Sequence, residues 1–174
     1  MVNSYFTPFL EEVARYKDGV HPLNVGANKQ QVRRLERELG VSLPKRYKEF
    51  LMIHNGGELF AVPAGTNLCQ IYIPEEGPRR PGIGYLEDSF NKNRKWPGML
   101  DSYLIIADTS YGDCICMDLS TSDGVEASII NWNHELGEVD LSWNRLIDWL
   151  MCEMETGKMY IDYDGNEMDD AGVE

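Results

Sequence analysis

Residues 103–119 read YLIIADTSYGDCICMDL: an apolar run, the turn-rich DTSYG, and a second apolar run. The pattern predicts strands over 103–107 and 113–119. So short a connection forces antiparallel pairing, because a parallel crossover needs a dozen or more residues. Upstream, ELFAVP (58–63) and LCQIYI (68–73) read as strands joined by the turn AGTN (64–67). Downstream, the turn TSDG, whose Asp-Gly pair suits a hairpin, leads into a strand over 126–132, EASIINW. Between them, residues 74–101 are rich in Pro, Gly and charge. They read as a long irregular excursion with a short helix near 86–93, and a loop of that length inside a domain points to function.

Helical periodicity flanks this run. Thr7 is expected to cap a first helix over 7–16, with Pro8 in its first turn and Phe6, Phe9, Leu10 and Val13 on one face. Asn28 and Gln31 have capping-box spacing ahead of the apolar stripe Val32, Leu35 and Leu39, and Gly40 is placed to end that helix in a left-handed conformation. Pro44 starts a third helix that buries Tyr47, Phe50 and Leu51, and Asn55-Gly56-Gly57, all tolerant of positive φ, terminates it. A last helix is expected over 143–156, capped by Ser142, with Trp143, Leu146, Ile147, Leu150 and Met154 on its inner side and Gly157 closing it. Helices, then strands joined by tight turns, then a helix make an α+β fold: an antiparallel-rich sheet with N-terminal helices and a C-terminal helix packed on it.

The 174 residues fit one domain, with its core over about 28–157 and an acidic, loosely ordered tail over 158–174. A chain of this length buries roughly 70% of its unfolded surface and needs no disulfide or metal staple. No apolar run approaches the ~20 residues that cross a bilayer, and MVNSYFTPFLEEV lacks the features of a secretory signal. A cytoplasmic protein with four reduced cysteines is the expectation.

Charge narrows the function. The formal net charge is −13, and it is uneven: residues 1–86 hold 11 basic and 9 acidic side chains, residues 87–174 hold 5 and 20. Such a field repels phosphate backbones and disfavours direct nucleic-acid binding, while speeding encounter with a basic protein. An acidic surface kept for solubility alone is the plainer alternative.

No catalytic constellation stands out. There is no GxxxxGK[ST], GxGxxG or GxSxG, and the glycines at 56–57 follow a helix, where no helix N-terminus can hold an anion. His134-Glu135 matches half of a zinc-protease motif, but position 138 is Glu where the second His belongs. Cys114 and Cys116 share a strand face and read as buried thiols, since no fourth zinc ligand accompanies them and His134. Asp162, Asp164 and Asn166 start a calcium-loop pattern that fails at Glu167 and Val173. The expectation is no enzyme, no cofactor and no metal.

Three blocks in order carry a resemblance: VRRLERELGVSLPKRYKEFLMIHNGG (32–57), YLIIADTSYGDCICMDLS (103–120), and ASIINWNHELGEV (127–139) followed by the helix around Trp143–Trp149. Over about residues 28–152 the chain resembles the SUKH superfamily, which holds fungal Smi/Knr cell-wall regulators and many bacterial immunity proteins. The resemblance implies a domain that binds and neutralises a cognate toxin, often a nuclease, with a regulatory or scaffold interaction module as the alternative. A nuclease site is basic, so an acidic partner suits it. The helix at 7–16, the segment 74–101 and the tail exceed the family pattern.

Partner-binding candidates are acids on expected loops and turns, namely Glu87, Asp88, Asp101, Asp108, Asp113, Asp123, Glu135 and Glu138. The aromatics near them, Tyr85, Trp96 and Tyr111, are candidate anchors, because interface hot spots favour Trp and Tyr. The expected partner is a basic toxin protein, bound by a monomer or homodimer, with no membrane involved.

Overall fold

The two central strands meet as expected in a computed structural model that describes residues 5–61, 65–90 and 95–168. Among the described residues there are four α-helices and six strands. The helices are α1 (Thr7–Val13), α2 (Lys29–Leu39), α3 (Lys45–Ile53) and α4 (Leu146–Gly157). The strands are β1 (Gly57–Leu59), β2 (Thr66–Leu68), β3 (Tyr103–Thr109), β4 (Cys114–Asp118), β5 (Ser128–Asn133) and β6 (Glu138–Trp143). They form one antiparallel sheet in the order β1-β2-β3-β4-β5-β6, so the α+β reading holds.

The core is sandwiched on both faces of β3, β4 and β5. Ile105, Ala107, Cys116 and Ile129 are fully buried, and α4 adds Leu146, Trp149, Leu150 and Met154. At roughly 25 cal/mol per Å² of apolar surface removed from water, this continuous cluster is the main stabilising term. The rings of Phe6 and Phe9 lie 5.6 and 6.0 Å from Phe50, which ties α1 to α3. Cys69, Cys114 and Cys116 are buried, and Cys152 is exposed.

The capping box of α2 forms as its spacing requires. Asn28 Oδ1 accepts from the amides of Gln30 and Gln31 (2.9 and 3.0 Å), and Gln31 Oε1 accepts from the Asn28 amide (2.7 Å). Gly40 ends the helix at φ 68°. Elsewhere local signals are overridden. Thr7 lies inside α1 and Phe6 occupies the cap position with no side-chain bond. Asn55 does not turn the chain: its buried amide donates to the Ile71 carbonyl and accepts from the Ile71 amide (3.1 and 2.7 Å). Only Gly56 and Gly57 take positive φ, where a Cβ would meet Gln70 and the backbone of Pro22 and Leu23 within 2.7 Å.

The first hairpin pairs 57–59 with 66–68, starting one residue early on the first strand and two on the second, and both strands are shorter than expected; Phe60 enters the left-handed region at φ 58° just after β1. Thr66 and Asn67, expected in the turn, are strand residues. In the excursion, 3-10 turns occupy Pro74–Glu76 and Leu86–Asp88, and the rest of the helix expected near 86–93 lies partly outside the described residues.

The largest correction is β6. Ser142 and Trp143 belong to this strand, so α4 starts three residues later than expected, behind Arg145. The Asn133 side chain makes the hairpin by accepting from the Glu135 and Leu136 amides (both 3.0 Å), with Gly137 at φ 70°. Gly157 does not close α4 by a left-handed turn. It is the last helical residue, and its missing Cβ leaves room for the Phe60 ring. The expected loose tail is also ordered in its first part. Ile161 is buried and bridges to Glu167, and Tyr163 Oη donates to Glu12 Oε1 at 3.1 Å; residues 169–174 lie outside the described residues.

Candidate partner-binding surface

The β3–β4 turn (110–113) and the β5–β6 turn (134–137) emerge side by side at one end of the sheet, because β4 pairs with both β3 and β5. Asp113 locks them together. Its Oδ1 accepts from the His134 amide (3.0 Å) and faces His134 Nδ1 at 2.7 Å, while Oδ2 accepts from Asn131 Nδ2 at 3.3 Å. Burial works to raise the Asp113 pKa, but the bonds from the His134 ring and amide and from Asn131 outweigh it, and the carboxyl sits below its ordinary value. Asn131 Nδ2 also donates to Asp140 Oδ1 (2.8 Å), and Asn133 Nδ2 to Asp140 Oδ2 (3.2 Å).

Aromatic groups cover this lock. The Trp96 ring lies 5.3 Å from that of His134 at 35°, and Trp96 is 41% exposed. Gly112, at φ 92°, has its α-carbon so close to the imidazole that a Cβ would sit 3.1 Å from His134 Cε1. Tyr111 beside it is 71% exposed and Leu136 67%. Tyr111 also lines a shallow cleft of about 160 Å³ with Phe60, Thr66, Glu153 and Tyr160. Large apolar side chains in water at one end of a sheet, rimmed by acids, have the composition of a protein-binding patch.

Five of the expected partner residues therefore converge: Trp96, Tyr111, Asp113, Glu135 and Glu138, with the last two exposed. The other six do not. Tyr85 is 5% exposed and its hydroxyl accepts from the Arg80 amide, so it packs and cannot anchor a partner. Glu87 accepts from the Tyr72 amide (3.0 and 3.2 Å), and burial raises its pKa; it braces the excursion. Asp88 is held by Arg79. Asp108 is half-buried on β3 beside the Cys114 thiol. Asp101 and Asp123 lie at the opposite end of the sheet, where Asp123 accepts from the Glu126 and Val125 amides (2.7 and 2.8 Å).

Sequence reasoning missed Leu136 and Asp140. A signal was present in the alternation of Glu138-Val-Asp-Leu-Ser-Trp143 after the turn glycine at 137. Another was the stretch between Lys95 and Arg145, which holds nine acids and no Lys or Arg. Among the described residues no three of His, Cys, Asp and Glu come together as a metal site, and no helix is long and apolar enough to cross a membrane.

A model of the SMI1/KNR4 family (SUKH-1) matches residues 26–152, from just before α2 to the middle of α4. The chain belongs to this family. That membership supports a domain of toxin-immunity or Smi/Knr type, one that interacts with a partner protein. The crystal structure of a protein from Pseudomonas syringae pv. tomato is similar to this SUKH-1 chain, with a TM-score of 0.55 and 16% identity. The match covers 82% of this chain and 92% of that one, and at such identity the likeness is one of fold. The family match begins after α1, so the helix at Thr7–Val13 and the folded-back segment 158–168 are outside it.

Proposed function

We propose that this SUKH-1 chain is an immunity protein, which binds a cognate toxin and neutralises it through the acidic, aromatic end of its sheet. The observation that carries the reading is the joined pair of turns, where Tyr111, Trp96 and Leu136 stand exposed among Glu135, Glu138 and Asp140 in a stretch without Lys or Arg. Exposed aromatics supply area that a partner can desolvate, and the acids supply a long-range field. That field selects a basic surface, and a nuclease that accepts phosphates has one. A protein covering such a site mimics the charge of the substrate and blocks its entry. The interaction needs no chemistry from this chain, which acts by occupying its partner.

Co-expression with the toxin encoded beside this chain tests the reading. Survival of the host and co-purification of a complex that weakens with salt support it. Killing without rescue, and no complex at low salt, would move the assignment to a regulatory or scaffold module.

A further inference from the structure

The cleft that Tyr111 enters opens between the sheet and the last turn of α4. Thr66 and Thr109, paired in the β2–β3 ladder, lie on one side of it, and Glu153 and Gly157 of α4 on the other. Its volume of about 160 Å³ falls well below the ~300–1,000 Å³ that encloses a cofactor or drug-sized ligand, and suits a single side chain.

Two neutral donors fix the Glu153 carboxylate. Its Oε2 accepts from the Thr66 hydroxyl at 2.7 Å, and its Oε1 from Trp149 Nε1 at 3.1 Å. Thr66 and Trp149 are both buried, so the carboxylate is held in place where it lines the cleft. Each of its oxygens keeps a second acceptor site. Among the described residues no Lys, Arg or His pairs with it. Lys158, the nearest of these in sequence, is engaged by Glu12 and Glu155 at 3.2 Å each. The rings of Tyr111 and Tyr160 (54% exposed) also line the cleft, and among the described residues no cation stacks on either.

We infer that this cleft takes an arginine side chain of a basic partner protein. Charge complementarity selects the occupant, because Glu153 brings a negative charge to the cleft and no cation of this chain answers it. A guanidinium can donate to the remaining acceptor sites of Glu153 and lay its plane against Tyr111 or Tyr160. An ammonium, a strongly hydrated point charge, gains less from the rings. Tyr111 belongs to the β3–β4 turn, so an arginine seated here extends the contact made by the joined turns, and arginine is a favoured anchor at interfaces. That the partner is the toxin rests on the immunity reading, and a surface that accepts phosphates exposes such arginines.

Nuclear magnetic resonance titration of the wild-type chain with N-acetylarginine methylamide, and with its neutral citrulline analogue, tests the cleft. Saturable shifts at Thr66, Thr109, Tyr111 and 153–161 are expected with the arginine probe, and binding weaker by about fivefold or more with the citrulline probe. Glu153→Gln removes the charge but can still accept from Trp149 and donate to the Thr66 hydroxyl, so it should fold. It should weaken binding of the toxin encoded beside the chain by about tenfold or more. Where Glu153→Gln lowers Tm, Tyr160→Leu at an exposed position carries the test, with an expected loss of about threefold in toxin affinity. Equal binding of the two probes, or no shift at these residues, overturns the cleft. A toxin complex indifferent to both variants overturns it and keeps the immunity reading. Arginine bound in the cleft with no toxin complex overturns the immunity reading alone.

Discussion

One carboxylate of Asp113 holds both the backbone amide and the ring of His134, at 3.0 and 2.7 Å, across 21 residues of sequence. Two hairpins that would otherwise move separately are thereby fixed to one another, and the Trp96 ring rests on the result. Asp113→Ala leaves the His134 amide without its acceptor and Asn131 Nδ2 with Asp140 alone, and such a loss costs about 1–3 kcal/mol. Urea denaturation is expected to show that loss, and tryptophan fluorescence to report a loosened Trp96. No change in either would show that the lock is ornamental.

Acid sensitivity has a separate source. Burial between the Tyr16 and Phe60 rings lowers the His21 pKa to about 4, against a smaller upward pull from Glu12, and its Nδ1 accepts from the Phe60 amide at 3.1 Å. Above pH 6.5 the ring is neutral in both folded and unfolded chains. As pH falls from there toward 4, the unfolded chain takes up a proton that the folded chain refuses, so stability is lost over that window. Below 4 this contribution stays lost. The expected loss is about 2 kcal/mol, less than the full shift because water screens a half-buried ring. His54, lowered mainly by burial, adds in the same direction. Denaturation at pH 7 and pH 4.5 should differ less in His21→Gln than in wild type; equal differences would contradict the assignment.

Gly157 offers a test with an unusual sign. Replacing a helical Gly by Ala ordinarily stabilises by up to about 1 kcal/mol. Here the added Cβ would lie 2.1 Å from Phe60 Cε2, and Phe60 is itself fixed at φ 58° and 6% exposed. Gly157→Ala should therefore lower stability by about 1–3 kcal/mol, readable as a fall in Tm. A rise in Tm would mean that the ring has room to move.

Charge reversals should divide by burial. Glu87→Lys removes the acceptor of the Tyr72 amide and places a cation in a half-buried position. A clear fall in Tm is expected. Glu135→Lys and Glu138→Lys, at exposed positions, should stay within about 0.5 kcal/mol of wild type. Thermal denaturation of the three variants checks this, and an unstable Glu135→Lys would show that this residue has a structural role.

Much of the architecture was legible because local rules and tertiary packing agreed. The capping box at Asn28 and Gln31, the burial of Tyr47, Phe50 and Leu51, and the central hairpin around 110–113 all follow from spacing. What was hidden depended on distant partners. β6 is exposed along its length and lacks a buried stripe, so Trp143 and Leu146 read as one helical face although a strand ends between them. Tyr85 and Glu87 look like loop residues until the excursion folds back to place them on Arg80 and Tyr72. The convergence of Trp96 with His134, 38 residues apart, follows from strand order and has no local sign.

An acidic sheet end that grips a basic toxin makes their association fast and sensitive to salt. The most direct measurement is the association rate and rescue activity of wild type and Glu135→Lys/Glu138→Lys with the toxin encoded beside the chain, at low and physiological salt. The account predicts that wild type rescues and associates fast, with a rate that falls as salt rises. The double reversal should fold normally and lose about tenfold or more in association rate together with rescue. A folded double variant that associates and protects as well as wild type would contradict the account.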